Sequence, residues 1–142
     1  MVACHVAGGF EEAVLAFPGT QELWLGTRGG FIKLAMQYGY DIVPVYSFGE
    51  ADLASQARCC LRRRAKFAGS TKIPMICPTE MGIRAKAVAS VVGPPFEVPQ
   101  FERPTRQQVE KCRVAFVSHL RALYRRHRSA HGLSDVPLVI RG

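Results

Sequence analysis

The sequence predicts an α/β fold in which helices flank a mostly parallel, open sheet. Strand-like and helix-like segments alternate as far as Phe48, in the order of two overlapping β-α-β units. The segment Asp41–Phe48 is almost continuously apolar, which is typical of a strand buried on both faces of a parallel sheet. Apolar residues recur at steps of three and four along Thr105–His131, which indicates one long helix. Together these observations predict a single domain over residues 1–142.

The N-terminal part of the chain is predicted to contain two strands and two helices. Met1–Ala7 is apolar and is predicted to be a strand, and a glycine pair then opens a helix over Phe10–Phe17. Gln21–Leu25 is predicted to be a short strand that holds the only tryptophan. Gly30–Tyr38 has apolar residues at helical spacing, and Gly39 is the expected C-terminal stop of this helix.

The middle of the chain is predicted to contain a basic helix, a loop and a strand. Pro44 lies within Asp41–Phe48 and places that strand at an edge, at a bulge or near its end, because proline has no N–H to donate. A helix is predicted over Leu53–Phe67. The segment Ser70–Gly82 contains two prolines and is predicted to be a loop, and Lys86–Val92 is predicted to be a strand that a Gly-Pro-Pro sequence closes.

The C-terminal helix has both start and stop signals. Thr105 and Gln108 have the spacing of a capping box, and Gly132 follows the last predicted helical residue. Its predicted apolar face consists of Val109, Cys112, Phe116, Leu120 and Leu123. The opposite side carries Lys111, Arg121, Arg125 and Arg128. Pro137–Ile140 is predicted to form a last short strand or to pack against the sheet.

Composition describes a basic globular domain. Its 142 residues (15.7 kDa) are 48% apolar, which excludes a disordered tail, and 19 Lys and Arg against 11 Asp and Glu give a net charge of +8. Such a charge favours an anionic partner: nucleic acid, anionic lipid or the phosphates of a coenzyme. No segment has the roughly 20 apolar residues that a membrane-spanning helix needs. The five cysteines are an odd number without a C-x-x-C pair, so we expect reduced thiols and no metal site.

Several common catalytic motifs do not occur. There is no G-x-S-x-G, no H-E-x-x-H and no phosphate-binding loop. Cys4 and His5 are neighbours on a predicted strand and would point to opposite faces, and the three histidines of the C-terminal helix are expected to be structural. The basic run Arg58–Lys72 is interleaved with only one aromatic residue, Phe67, so we expect no nucleic-acid binding; a solvated helix, a membrane surface and coenzyme phosphates stay open.

A glycine pair at a strand-to-helix turn is the best candidate for contact with a substrate. Gly8 and Gly9 would let the backbone approach a bound molecule closely. A helix N-terminus attracts anions, but Glu11 and Glu12 in the same turn would repel a phosphate. An alcohol or a carbonyl group therefore suits this turn better.

Three linked blocks resemble the C-terminal portion of the diacylglycerol acyltransferase type 2 family. The family's G-G-x-x-E motif falls on Gly8, Gly9 and Glu12, and its R-x-G-F block falls on Arg28, Gly30 and Phe31. Its V-P-V-x-x-F-G-E block falls on Val43–Glu50 and includes Gly49 and Glu50. Later segments, including Val91–Pro95 and the C-terminal helix, are also similar, so the resemblance covers nearly the whole chain.

The resemblance implies an acyl-CoA-dependent O-acyltransferase with a glycerolipid acyltransferase-like fold. It would transfer a fatty acyl group to the hydroxyl of a neutral glycerolipid such as diacylglycerol, at the cytosolic face of the endoplasmic reticulum or of a lipid droplet. Acyl-CoA is the implied co-substrate and no bound cofactor is implied. Membrane contact would come from a preceding N-terminal region and from the basic face. The alternative function is a non-catalytic basic module that binds a membrane surface or a partner acyltransferase.

The family's general base is the histidine of a His-Pro-His-Gly motif, which this sequence lacks. We therefore expect the chain to be the C-terminal part of one acyltransferase domain, without the N-terminal strands and the base; a complete but inactive short protein is the other interpretation. No residue here is assigned as catalytic. The candidate substrate-binding residues are Gly8, Gly9, Glu12, Arg28, Gly30, Phe31, Gly49 and Glu50.

The candidate residues would have different roles. Glu12 would hydrogen-bond the acceptor or the base, or would act only as an acid that favours the helix dipole. Arg28 would bind an anionic group of coenzyme A, or would form an ion pair with a nearby acid such as Glu50. Phe31 and Phe48 are expected in the core rather than against an acyl chain. The acceptor, the preferred acyl length and the oligomeric state stay open.

Overall fold

Helices and strands alternate along the whole chain in the computed structural model, which describes residues 2–71, 73, 75–79 and 86–142. This order confirms the α/β class. The helices are α1 (Phe10–Leu15), α2 (Gly30–Tyr38), α3 (Leu61–Thr71) and α4 (Arg106–His127). The strands are β1 (Gln21–Trp24), β2 (Val45–Phe48), β3 (Ala89–Val92) and β4 (Leu138–Arg141). Short 3-10 helices cover Glu50–Asp52 and Arg128–His131.

The four described strands form two separate pairs. Strand β1 pairs with β4 in parallel, with Gln21 opposite Leu138, and β2 pairs with β3 antiparallel, with Val45 opposite Val92. Consecutive β1 and β2 therefore share no ladder, contrary to the β-α-β units expected up to Phe48. The partner of β1 comes from the far end of the chain, and local sequence patterns carry no information about so distant a pairing.

The strand predicted over Met1–Ala7 is wrong for the described part, because residues 2–9 contain no helix or strand. Met1 lies outside the described residues. Cys4 and His5 are both exposed, so the argument from opposite strand faces does not apply. Instead, the imidazole of His5 stacks on the ring of Phe31, with 5.5 Å between centroids. A short apolar segment becomes a strand only when another strand supplies hydrogen bonds.

The middle of the chain differs from the prediction in its boundaries. Helix α3 starts at Leu61 rather than Leu53, because Gln56 forms an isolated bridge with Pro78 and a turn precedes the helix. It also extends through the beginning of the predicted loop; Lys72, Pro74 and residues 80–82 of that loop lie outside the described residues. Strand β2 starts after Pro44, whose carbonyl oxygen accepts a hydrogen bond from Gly93 N at 2.8 Å. The prediction that this strand is buried on both faces of a parallel sheet is wrong, because β2 pairs antiparallel and Val45 on one of its faces is exposed.

Helix α4 organises the main core, as its periodicity predicted. Its buried side chains pack against buried side chains of α2 and β2, among them Met36 and Phe48. The capping box of Thr105 and Gln108 is present, and Gly39 ends α2 in the left-handed conformation. The predicted face residues Cys112, Phe116, Leu120 and Leu123 are buried, and Val109 is partly buried.

A second, smaller cluster joins α1 to α3. It consists of Val14, Ala65 and Ala68, with Leu61 packed against them. In the part of the chain that the structure describes, no helix combines the length and the apolar composition needed to cross a membrane.

Candidate functional site

The glycine turn that precedes α1 is the centre of a polar cluster. We call it the glycine-turn cluster and define it as Gly8, Gly9, Glu11, Glu12 and Arg28. The two acids belong to the first turn of α1, and Arg28 precedes α2. The structure thus brings together residues from the first two of the three sequence blocks.

Arg28 is held by oxygen atoms of the protein itself. Its Nη2 donates to Oε2 of Glu11 at 2.8 Å, and its Nη1 donates to the carbonyl oxygens of Ala7 at 3.1 Å and Gly8 at 2.9 Å. The side chain of Arg28 is 32% exposed and that of Glu11 is 15% exposed. The ion pair predicted for Arg28 is therefore present, but its partner is Glu11 and not Glu50.

Glu12 is half-buried beside the glycine turn. Its Oε1 accepts a hydrogen bond from Trp24 N of β1 at 2.8 Å. Burial raises the pKa of the Glu12 carboxyl above its ordinary value, and the charges of Glu50 and Glu11 raise this pKa further. The hydrogen bond from Trp24 and the charge of Arg28 lower it in part. Glu12 therefore holds a proton more readily than an exposed glutamate does.

The absence of side chains at both glycines is what allows these contacts. A Cβ on Gly8 would overlap Oε2 of Glu12, and a Cβ on Gly9 would lie 2.8 Å from Nη2 of Arg28. Neither glycine is in the left-handed region, and Gly9, with φ of 177°, is extended. The close approach made possible by the pair is thus used by two of the protein's own side chains.

The remaining candidate residues lie at different distances from this cluster. Glu50 is exposed at the start of the 3-10 helix after β2, close enough for its charge to raise the pKa of Glu12. Gly49 has φ of 88°, which favours glycine, and its Cβ would meet Ala87 O at 2.5 Å. Gly30 opens α2 with free space around its Cα. Phe31 packs against the core, with its ring 5.6 Å from that of Phe116.

Tyr46 connects β2 to β1 near Glu12. Its hydroxyl donates to Oε1 of the buried Gln21 at 2.6 Å. Burial is the main reason that the pKa of Tyr46 is raised, with smaller contributions from Tyr124, Glu12 and Glu50. This phenol therefore stays protonated and serves as a hydrogen-bond donor.

Arg64 has a role that the sequence interpretation missed. It belongs to the basic run Arg58–Lys72, for which a solvated helix was one of the open interpretations, but it is 2% exposed. Its Nη2 donates to Oε1 of Gln56 at 2.6 Å. Its Nη1 donates to the carbonyl oxygen of Ala57 at 2.6 Å, and its Nε donates to that of Met75 at 2.8 Å. Gln56 Nε2 in turn lies 2.8 to 3.2 Å from the carbonyl oxygens of Ala13, Val14 and Ala16.

The helical spacing contained the signal for this burial. Arg64 lies three residues after Leu61 and four before Ala68, on the same face of α3 as both. The arginine therefore shares the inner face of the helix and links α3 to the end of α1.

The features outside the glycine-turn cluster include a shallow depression and two histidines with structural contacts. The described residues contain no group of three or more His, Cys, Asp or Glu side chains placed to hold a metal ion. A shallow depression on α4, lined by Arg106 and Lys111 among others, shares no residue with the glycine-turn cluster. His119 Nε2 lies 3.1 Å from Pro94 O, and His131 stacks on Phe48 with centroids 4.3 Å apart.

The glycine turn, and the glutamate and arginine packed on it, come from the sequence blocks that resemble a family of glycerolipid acyltransferases. Comparison with known families agrees: residues 2–141 match the model of the diacylglycerol acyltransferase family. The chain belongs to this family.

Its curated relatives bear consistent names. Diacylglycerol O-acyltransferase 2 of Danio rerio is 31% identical over 95% of this chain and 42% of its own length. The protein of that name from Dictyostelium discoideum is 36% identical over 89% of this chain and 43% of its own. Human acyl-CoA wax alcohol acyltransferase 1 is 29% identical over 92% of this chain and 44% of its own length. The chain thus spans about two fifths of the length of these relatives. No solved structure matches it.

Proposed function

We propose that this chain provides the C-terminal part of an acyl-CoA-dependent O-acyltransferase that acylates a neutral glycerolipid. Diacylglycerol, converted to triacylglycerol, is the proposed acceptor, and acyl-CoA is the co-substrate. Membership of the family and the names of the relatives support this class of reaction. The observation that carries the proposal is that Glu12 and Arg28, from two separate family-like blocks, pack on the same glycine turn.

The reaction needs a general base, which in the family that the sequence resembles is the histidine of a His-Pro-His-Gly motif. An alcohol becomes a good nucleophile when a positioned group takes its proton as it attacks the thioester carbonyl of acyl-CoA. The sequence has no His-Pro-His-Gly motif. We therefore propose that the base lies outside these residues and that the glycine-turn cluster supports substrate binding beside it.

Within the cluster, Glu12 is the group suited to contact a neutral acceptor. A half-buried carboxyl with a raised pKa accepts a hydrogen bond from a hydroxyl when ionised and donates one when protonated. Arg28 is engaged by Glu11 and by two carbonyl oxygens, so its role is to hold the turn rather than to bind a phosphate of the coenzyme. Acids at this turn fit an uncharged acceptor.

The substrates suggest a membrane setting. Diacylglycerol is found in bilayers and at lipid-droplet surfaces, so we propose the cytosolic face of the endoplasmic reticulum or of a lipid droplet as the site of action. Helix α3 offers a surface for this contact: Arg62, Arg63 and Lys66 are exposed, and Phe67 is 42% exposed beside them. Cations near an anionic bilayer surface each contribute about 1 kcal/mol of binding free energy.

Acyl transfer from labelled acyl-CoA to diacylglycerol tests the proposed reaction. We expect no labelled triacylglycerol with the 142-residue chain and turnover with the product of the full transcript, which should encode His-Pro-His-Gly upstream. E12Q in the longer product should lower turnover, whereas Q107A, on the depression of α4, should not. Turnover by the 142-residue chain itself, or a full transcript without the motif, would contradict the proposal.

A non-catalytic basic module is the second candidate function, and the exposed cations of α3 favour it. Flotation with phosphatidylcholine vesicles, with and without phosphatidylserine, tests it. The triple variant R62E/R63E/K66E should lose binding to the anionic vesicles. K111E/R121E/R125E makes the same charge change on α4 and serves as the control. Equal binding to both kinds of vesicle would count against this function.

A further inference from the structure

Two adjacent thiols lie on the surface just before helix α3. Cys59 and Cys60 are both exposed, whereas Cys112 is buried and Cys77 is intermediate. Cys4 is also exposed but lies in the irregular segment before α1. Cys59 and Cys60 have no part in the glycine-turn cluster or in the core, so neither the proposed reaction nor packing accounts for them.

The backbone holds this thiol pair in a fixed and strained turn. Cys60 has φ of 51°, the left-handed conformation that glycine or asparagine adopts more easily than cysteine. The turn is anchored by Arg64, whose N donates to Cys60 O at 3.0 Å and whose Nη1 lies 3.4 Å from Cys59 O. Strain of this kind persists only where the surroundings fix it, and it is more frequent at functional positions.

The surroundings of the pair suit a molecule that is both anionic and apolar. Arg58, Arg62 and Arg63 flank the two cysteines and are exposed. Phe67 lies two helical turns further along α3 and is also exposed. A long-chain acyl-CoA combines phosphates, which arginine binds well, with an acyl chain that packs on apolar surface. Cysteines on or beside an amphipathic helix at a membrane are frequent sites of S-acylation.

We propose that Cys59 and Cys60 form a site of S-acylation by long-chain acyl-CoA. The thiol of one cysteine gives its proton to solvent, and the resulting thiolate attacks the thioester carbonyl of acyl-CoA. A new carbon–sulfur bond forms, the bond to the coenzyme sulfur breaks, and the departing thiolate of coenzyme A takes a proton from solvent. No oxidant or reductant is needed. The proposal rests on the proposed function only in that acyl-CoA is the donor. The attached chain would insert into the bilayer and hold α3 at its surface.

The chain contains its own control for this reaction, because Cys4 is an exposed thiol without flanking arginines. The full chain is incubated with alkyne-labelled palmitoyl-CoA and phosphatidylcholine–phosphatidylserine vesicles, and the label on each cysteine is quantified by peptide mass spectrometry. We expect hydroxylamine-sensitive label on Cys59 or Cys60 to exceed that on Cys4 by about tenfold, since a cationic surface raises the local concentration of an anionic reactant. Equal labelling of Cys4, or label that hydroxylamine does not release, would overturn the proposal.

Variants give a second readout. C59S/C60S should lose the label while C4S/C77S retains it, and R62E/R63E should reduce it without removing the thiols. O-acylation is tested separately, with the product of the full transcript, because no triacylglycerol is expected from the 142-residue chain. Thioester on Cys59 or Cys60 supports S-acylation whether or not the longer product forms triacylglycerol. Triacylglycerol from the longer product, without thioester on the 142-residue chain, rejects the S-acylation site alone.

Discussion

Arg28 explains at the scale of single residues why the glycine turn has its shape. Its planar guanidinium has several donors in a fixed arrangement, and here they reach a carboxylate and two main-chain oxygens. The sequence singled out Glu12 and Arg28 as candidate residues of two separate motif blocks, but it did not predict that both pack on one turn. It named Glu50 as an example of an ion-pair partner for Arg28, whereas the partner is Glu11, because the spacing of motifs does not record which acid a distant arginine reaches.

The ion pair of Glu11 and Arg28 should stabilise the fold more than a surface pair. We expect E11Q to lower the free energy of unfolding by about 1 kcal/mol, because a carboxylate that is 15% exposed loses a charged hydrogen bond. The control is E110Q, in a pair with Arg113, where the carboxylate is 57% exposed and solvent screens the interaction. Urea unfolding at pH 7 measures both. Equal changes of the urea midpoint in the two variants would refute the claim that the Glu11–Arg28 pair stabilises the fold more than the Glu110–Arg113 pair.

Gly8 and Gly30 both belong to the family-like motifs but should respond oppositely to alanine. A Cβ on Gly8 would displace the carboxylate of Glu12 from its bond with Trp24, so G8A should lower the free energy of unfolding by about 1–3 kcal/mol. A Cβ on Gly30 meets nothing within 4 Å, so G30A should raise it by about 0.5 kcal/mol. Chemical denaturation measures the free energy of unfolding of both variants. If G8A is as stable as the unmodified chain, the side chain of Glu12 can move away from the new Cβ without loss of stability.

Glu12 should make the free energy of unfolding fall as pH rises. Its pKa is raised in the folded chain, so folding is favoured while the carboxyl is protonated, and this contribution is lost as pH rises from 4.5 through the higher folded value. E12Q does not titrate. The free energy of unfolding of the unmodified chain should therefore fall relative to that of E12Q as pH increases over this window. Urea midpoints between pH 4 and pH 8 measure it, and parallel curves would contradict the raised pKa.

At the scale of elements, helices were predicted better than strands. Helix α2 and its stop at Gly39 agree with the prediction because helical hydrogen bonds and capping are local in sequence. The strand expected at Met1–Ala7 was not found in the described residues, because a strand depends on a distant partner. Helix α3 shows the intermediate case: a solvated helix was one open interpretation of its basic composition, and the spacing that places Arg64 on the inner face with Leu61 and Ala68 was not used.

The network of Arg64 and Gln56 should be essential for the packing of α3 on α1. R64M keeps the length of the side chain but removes the donors, so the buried Oε1 of Gln56 and the part-buried carbonyl oxygens of Ala57 and Met75 lose these hydrogen bonds. We expect a loss of about 3 kcal/mol in the free energy of unfolding. R63M, one position earlier and exposed, makes the same chemical change and should have almost no effect. Thermal and urea unfolding compare the two, and equal stability would show that Arg64 is dispensable.

At the scale of the whole molecule, the fold consists of a main core and a smaller cluster. Helices α2 and α4 pack on both strand pairs in the main core, while α1 and α3 share only a few small apolar side chains. The α/β class was predictable because it depends on the order of elements. The pairing of β1 with β4 and the division of the core depend on contacts between distant residues, which periodicity does not record.

This division predicts unequal local stability. Few apolar contacts hold the smaller cluster, and Arg64 and Gln56 supply much of its remaining support, so α3 should open without unfolding of α4. In native-state hydrogen exchange, amides of α3 should exchange through openings of lower free energy than amides of α4. R64M destabilises the closed state from which both helices open, so it should lower the opening free energy of α3 by about 3 kcal/mol, or to the point where α3 is open, and that of α4 by no more than the same amount. If both helices exchange at one common free energy in the unmodified chain, the two clusters form a single cooperative unit.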